Sequence, residues 1–153
     1  MDQPLLLIVE DEPLVSMIAE EALQSGGYGV AIVTSAAEAV EILNTRFAEF
    51  AGLITDVNLG IGSEGWEVAR HARAVRPDLP IVYMTGDSAA DWAANGVPNS
   101  ILVQKPYAPA QLVTAVSTLI TAVQANPAPS ETRASHSPAS CRGFAYHCCL
   151  FRC

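Results

Sequence analysis

The first 140 residues contain no cysteine, and all four cysteines (Cys141, Cys148, Cys149 and Cys153) fall in the last thirteen positions. That distribution excludes a disulfide scaffold and a buried catalytic thiol from the body of the chain. No apolar run approaches the roughly 18 residues of a membrane-spanning helix. The amino terminus lacks the basic flank of a secretory leader, since Asp2 stands there and Glu10, Asp11 and Glu12 follow. These absences lead to the expectation of a soluble, cytoplasmic protein. Positive charge is scarce too. Before residue 124, fifteen acidic residues face only Arg46, Arg70, Arg73, Arg76 and Lys105, a formal charge of −10. Such a surface repels phosphate backbones, so no direct nucleic-acid contact is expected, and a divalent cation or a basic protein patch suits it better.

What is present is enough apolar material for one core: half of 153 residues. Short apolar runs that read as buried strands occur at Leu5 to Val9, Tyr28 to Val33, Gly52 to Thr55, Ile81 to Met84 and Ser100 to Val103. Between them Leu14, Ile18 and Ala22 recur at helical spacing, and Leu112, Val116, Leu119 and Val123 do so in a final helix. Pro13 opens the first helix, Ser35 with Glu38 reads as a capping box for the second, and Pro77 and Pro80 bracket the exit from the third. Trp66 and Trp92 are expected to pack within helices, and His71 to lie on a helix surface. Near Gln124 the periodicity stops and a Pro, Ala and Ser stretch begins. The expectation is one domain over residues 1–123 and a disordered tail over 124–153. His147 and the tail cysteines lack two spaced pairs and make a poor zinc pattern.

Strands apolar on both faces and joined through helices predict an α/β fold, a doubly wound five-stranded parallel sheet. Right-handed crossovers put every strand's carboxyl end on one edge, where ligands of such sheets bind. That edge receives Glu10, Asp11 and Glu12 after the first strand, Asp56 after the third, Thr85 after the fourth and Lys105 after the fifth. Taken singly, each has an ordinary role: acidic residues favour a helix amino terminus, a loop aspartate caps a turn, Thr85 starts a turn as Ser88 with Asp91 does, and a loop lysine is solvated. Together they describe a chemical site. Converging carboxylates repel one another unless a hard cation joins them, and Mg²⁺ is the natural choice. A carboxylate that attacks phosphorus needs the incoming charge neutralised, and a hydroxyl and an ammonium supply what the metal does not. Lys105, the only lysine in the chain, is a compact point charge suited to one phosphoryl group.

The pieces Ile8-Val9-Glu10-Asp11-Glu12, Leu53-Ile54-Thr55-Asp56-Val57-Asn58-Leu59, Met84-Thr85-Gly86 and Lys105-Pro106-Tyr107 appear in this order. With them the chain resembles the receiver domains of two-component signalling over residues 4–123. The resemblance implies a flavodoxin-like (βα)5 fold. It implies Asp56 as phosphoacceptor, Asp11 as a direct Mg²⁺ ligand, Glu10 as a direct or water-mediated one, and a metal contact from the Asn58 main-chain carbonyl. It also implies that Thr85 and Lys105 hold phosphoryl oxygens. The implied partners are a histidine kinase or a histidine phosphotransfer protein and a downstream protein target, with no membrane contact and with homodimer formation left open. Three positions depart from the family: Gly60 where proline is most frequent, Gly86 where alanine or serine is usual, and Leu102 where a switch tyrosine or phenylalanine is usual. Threonine-glycine without that aromatic resembles a subset of stand-alone receivers. The expectation is a single-domain response regulator that hydrolyses its own aspartyl phosphate at most slowly. A pseudo-receiver not switched by phosphorylation is the alternative. A small Mg²⁺-dependent phosphatase is a weaker one, because Asn58 stands where such enzymes need a second aspartate.

Overall fold

The computed structural model describes residues 2–62 and 64–127. The chain runs β1 (Leu5–Val9), α1 (Pro13–Ser25), β2 (Gly29–Val33), α2 (Ala36–Arg46), β3 (Phe50–Asp56), α3 (Glu64–Val75), β4 (Ile81–Thr85), α4 (Trp92–Asn95), β5 (Ser100–Gln104) and α5 (Pro109–Ala125). All strands are parallel, in the order β2-β1-β3-β4-β5. The winding direction changes between β1 and β3, so the crevice of such a sheet opens beside those two strands.

Alternation along the strands makes two cores, because successive side chains point to opposite faces. Leu6 and Ile8 of β1 join Ile54, Val82, Met84 and Val103, and meet Ala19 and Leu23 of α1 and Leu112, Val116 and Leu119 of α5. Leu7 and Val9 join Leu53, Ile81 and Tyr83 on the other face, against Leu43 of α2 and Trp66, Val68 and Ala72 of α3. β1, β3 and β4 are buried on both faces, which is why their sequences read as unbroken apolar runs.

The helix starts follow local chemistry. Ser35 Oγ accepts from the Glu38 amide at 3.2 Å, half of the expected capping box, while Glu38 Oε2 reaches the amide of Thr34 instead of Ser35. β3 begins two residues before the expected Gly52 and takes in Asp56, and α5 continues two residues past Val123. α4 has only four residues, preceded by a 3-10 turn over Ala89–Asp91. Its Trp92 packs into the α3-side core, and the indole N–H donates to Ser100 Oγ at 3.1 Å. Trp66 is buried against Tyr83 with ring centroids 4.7 Å apart, and His71 sits on the surface beside Asn44.

Arginines fasten the amino-end edge of the sheet. Arg73 donates to the carbonyls of Leu79, Pro98 and Asn99 at 2.8, 2.6 and 3.1 Å. Arg76 donates to the Phe50 carbonyl at 2.5 Å and pairs with Asp78 at 3.0 Å. Among the described residues no helix is long and apolar enough to cross a membrane. The tail expected to be disordered, with His147 and the four cysteines, lies outside the described residues after position 127.

Candidate functional site

Strand register assembles the site. β1 pairing continues one residue beyond Val9, with the Glu10 amide donating to the Val33 carbonyl at 3.1 Å, and this draws the Glu10 side chain inward. Asp56 closes β3 opposite Met84, and the next amide, Val57, still donates to the Met84 carbonyl at 3.0 Å. The Lys105 amide extends the β4–β5 ladder to the Thr85 carbonyl at 2.7 Å. Three ladders running one step past the strands thus place Glu10, Asp56 and Lys105 above one crevice. Glu10 is 1 % exposed and Asp56 6 % exposed, so both carboxylates need partners within the protein.

Lys105 is that partner. Its Nζ lies 2.8 Å from Glu10 Oε2 and 2.9 Å from Asp56 Oδ2. The second oxygens accept from backbone: Glu10 Oε1 from the Glu12 amide at 3.0 Å, Asp56 Oδ1 from the Asn58 amide at 3.0 Å. Burial pushes the Glu10 carboxyl above its usual range, with the charge of Asp56 adding to it, while Lys105 and the Glu12 amide pull the other way. Burial alone would lower the Lys105 ammonium, but its hydrogen bonds to Glu10 and Asp56 outweigh that and hold it above its ordinary value.

Asp11 is exposed, and its Oδ2 accepts from the Gly60 amide at 3.1 Å. Glu10, Asp11 and Asp56 each offer a carboxylate oxygen, and these atoms lie within 4.8 Å of one another. Three carboxylates against one ammonium leave a formal charge of −2 here. All-oxygen donors with that excess suit a hard divalent cation, so the acidic pocket fits Mg²⁺ in ligand type and charge. Asn58, whose main-chain carbonyl the family resemblance adds to this set, stands on the loop after Asp56, with its amide on Asp56 Oδ1.

Thr85 is fully buried, and its Oγ1 accepts from the Ser88 amide at 2.9 Å. Ser88 Oγ in turn donates to Asn58 Oδ1 at 3.4 Å. The hydroxyl expected to meet a phosphoryl group therefore holds its own loop, and Ser88 caps neither α4 nor the turn before it with its side chain. Leu102 is half-buried and packs on the α3-side core.

Sequence reasoning missed the parts played by Gly60, Gly65 and Ser88. A Cβ added to Gly65 would stand 1.9 Å from the Asp56 carbonyl oxygen, so only glycine lets α3 start this close to the end of β3. The available signal was a glycine in the first turn of a helix, where it is otherwise unfavourable. Ser88 and Gly60 act through backbone amides, which no residue type advertises.

The model of the response regulator receiver domain matches residues 6–117. The crystal structure of a response regulator receiver protein from Sinorhizobium medicae is 41% identical, with a TM-score of 0.75, covering 79% of this chain and 97% of that one. Among curated relatives, the sensor kinase CckA of Brucella abortus is 32% identical over 118 residues, which are 75% of this chain and 12% of that protein. The C4-dicarboxylate transport transcriptional regulatory protein DctD of Rhizobium meliloti is 28% identical, over 72% of this chain and 24% of its own length. The chain thus spans a quarter or less of these two relatives.

Proposed function

The chain belongs to the response regulator receiver domain family, and on that premise we propose that Asp56 accepts a phosphoryl group from a phosphohistidine in a Mg²⁺-dependent reaction. The observation that carries this reading is the convergence on one sheet edge of a buried Asp56, two further carboxylates within 4.8 Å and one ammonium. A carboxylate oxygen of Asp56 attacks phosphorus and the P–N bond to the donor imidazole breaks, leaving an acyl phosphate on the protein. Glu10, Asp11, Asp56 and the Asn58 carbonyl would hold the Mg²⁺, which when bound neutralises charge on the transferring group. Lys105 already sits 2.9 Å from Asp56, where its ammonium meets an incoming phosphoryl oxygen. Thr85 contributes its hydroxyl on releasing the Ser88 amide.

The donor is a histidine kinase or a histidine phosphotransfer protein. Beside the pocket, α1 exposes Leu14, Met17 and Ile18 at helical spacing, an apolar stripe that suits a protein donor. With its acidic surface the domain signals through protein contacts, not by direct DNA binding. Slow hydrolysis of the aspartyl phosphate ends the signal. A second reading, a receiver whose surface phosphorylation does not switch, is favoured by Leu102 in place of a switch aromatic.

Acetyl phosphate with Mg²⁺ tests the first reading. Wild type should gain one phosphoryl group by intact mass, and Asp56→Asn none. Modification that persists in Asp56→Asn would refute the site, whereas modification of wild type with no change in partner binding would favour the second reading.

A further inference from the structure

The loop after β3 departs from the family at Gly60, and that residue touches the acidic pocket directly. Leu59 to Gly62 form a tight turn, with the Gly62 amide donating to the Leu59 carbonyl at 3.3 Å. Within it Gly60 has φ +60°, and its amide N–H donates to Asp11 Oδ2 at 3.1 Å. A Cβ at Gly60 would meet nothing within 4 Å, so space does not demand glycine here; conformation does. Proline, the frequent family residue, would fail twice, because its φ is fixed near −65° and it has no N–H to donate.

Asp11 is fixed less firmly by its surroundings than its neighbours are. Glu10 and Asp56 are buried and held by Lys105, but Asp11 is exposed, and among the described residues the Gly60 amide is its hydrogen-bond partner. A carboxylate has about four acceptor positions, so one amide leaves room for a cation on the same group. We infer that Gly60 is a positioning residue for cation binding, whose amide, presented by a positive φ, holds the exposed Asp11 carboxylate in the orientation the ion requires. The inference rests on the metal reading of the pocket proposed above and deepens it: this chain orients its outer ligand with a loop amide.

Calorimetric Mg²⁺ titration of the full chain, with melting curves in chelator as a check on folding, tests it. Gly60→Pro should bind Mg²⁺ about tenfold more weakly, in the range seen when an outer partner of a metal ligand is lost. Gly60→Asn keeps the amide and tolerates positive φ, and should stay within about threefold of wild type. Gly60→Val keeps the amide but disfavours that φ, and should weaken binding in the same direction as proline, which carries the test if the proline variant fails to fold. In an Asp11→Asn background the loss from Gly60→Pro should vanish, since the amide acts through that carboxylate. Wild-type affinity in both Gly60→Pro and Gly60→Val would overturn the inference, and so would an equal loss with and without Asp11. A wild-type protein that binds no Mg²⁺ would instead overturn the metal reading itself, and this inference with it.

Discussion

The two edges of the sheet use charge in opposite ways. At the amino-end edge, Arg73 spends its guanidinium on three backbone carbonyls and Arg76 on a carbonyl and Asp78, so each cation meets acceptors already fixed by the fold. At the carboxyl-end edge, three carboxylates crowd one ammonium. The first arrangement is electrostatically satisfied and closes the loops before β4 and β5. The second retains a surplus of negative charge that a ligand can relieve, which is what a binding edge needs. One sheet thus separates holding together from responding, and the separation can be tested one residue at a time.

Lys105→Ala should give the largest effect on stability. It leaves Glu10 buried with its ammonium gone, and removal of one partner of a buried pair is costly because the other charge stays behind. We expect a loss of about 2–3 kcal/mol without metal at neutral pH, or roughly 10 °C in melting temperature. The loss should shrink in acid. A carboxyl whose folded pKa lies above its unfolded value binds its proton more tightly when folded, so stability is gained as pH falls and lost as pH rises through the folded value. Glu10 is raised already, and removing Lys105 takes away a lowering influence. Thermal melts of both proteins from pH 7 down to about 4.5 should converge, and a deficit independent of pH would mean that Glu10 is not the group left exposed to strain.

Arg73→Ala should come next, at about 1.5–2 kcal/mol for the loss of charge-assisted hydrogen bonds to three carbonyls. Its stabilisation by Mg²⁺ should equal that of wild type, about 2.7 kcal/mol at a hundredfold excess over the dissociation constant. An altered Mg²⁺ response would break the division between the two edges.

Asp11→Asn should have the smallest effect on the metal-free protein, within about 0.5 kcal/mol, because the side chain is exposed and its one partner is a loop amide. The same variant should lose most of the stabilisation by Mg²⁺ in calorimetry. If it destabilised the metal-free fold as Lys105→Ala does, Asp11 would belong to the framework and not to the responsive set.

Much of the carboxyl-end edge was legible because a parallel sheet turns a linear pattern into a spatial one. Once Leu5 to Val9 and Ile81 to Met84 read as strands buried on both faces, Glu10 and Thr85, each next in the chain, had to share an edge. The structure brings Glu10, Asp11, Asp56 and Lys105 together there, with Asn58 on the same loop and Thr85 beside Lys105 in the ladder. What sequence could not show depends on geometry between elements. Lys105 was assigned to a phosphoryl group, and nothing in its spacing disclosed that it bridges Glu10 and Asp56. The brevity of α4 was hidden as well, because Trp92 is anchored by Ser100 of the following strand and not by a helical repeat. Arg73 and Arg76 entered the sequence reading only through the charge balance, since their carbonyl partners belong to segments brought close only by folding.

Because Lys105 is the chain's sole lysine and its ammonium is clasped by two carboxylates, the pocket has a built-in chemical reporter. Amine-acylating reagents attack the neutral amine, and the raised pKa of Lys105 makes that form scarcer in the folded protein than in the unfolded chain. Acylation at this one side chain, followed by mass spectrometry, would therefore be slower in the folded protein than in the unfolded chain. Its rate would follow whatever competes with Lys105 for Glu10 and Asp56, with no engineered label.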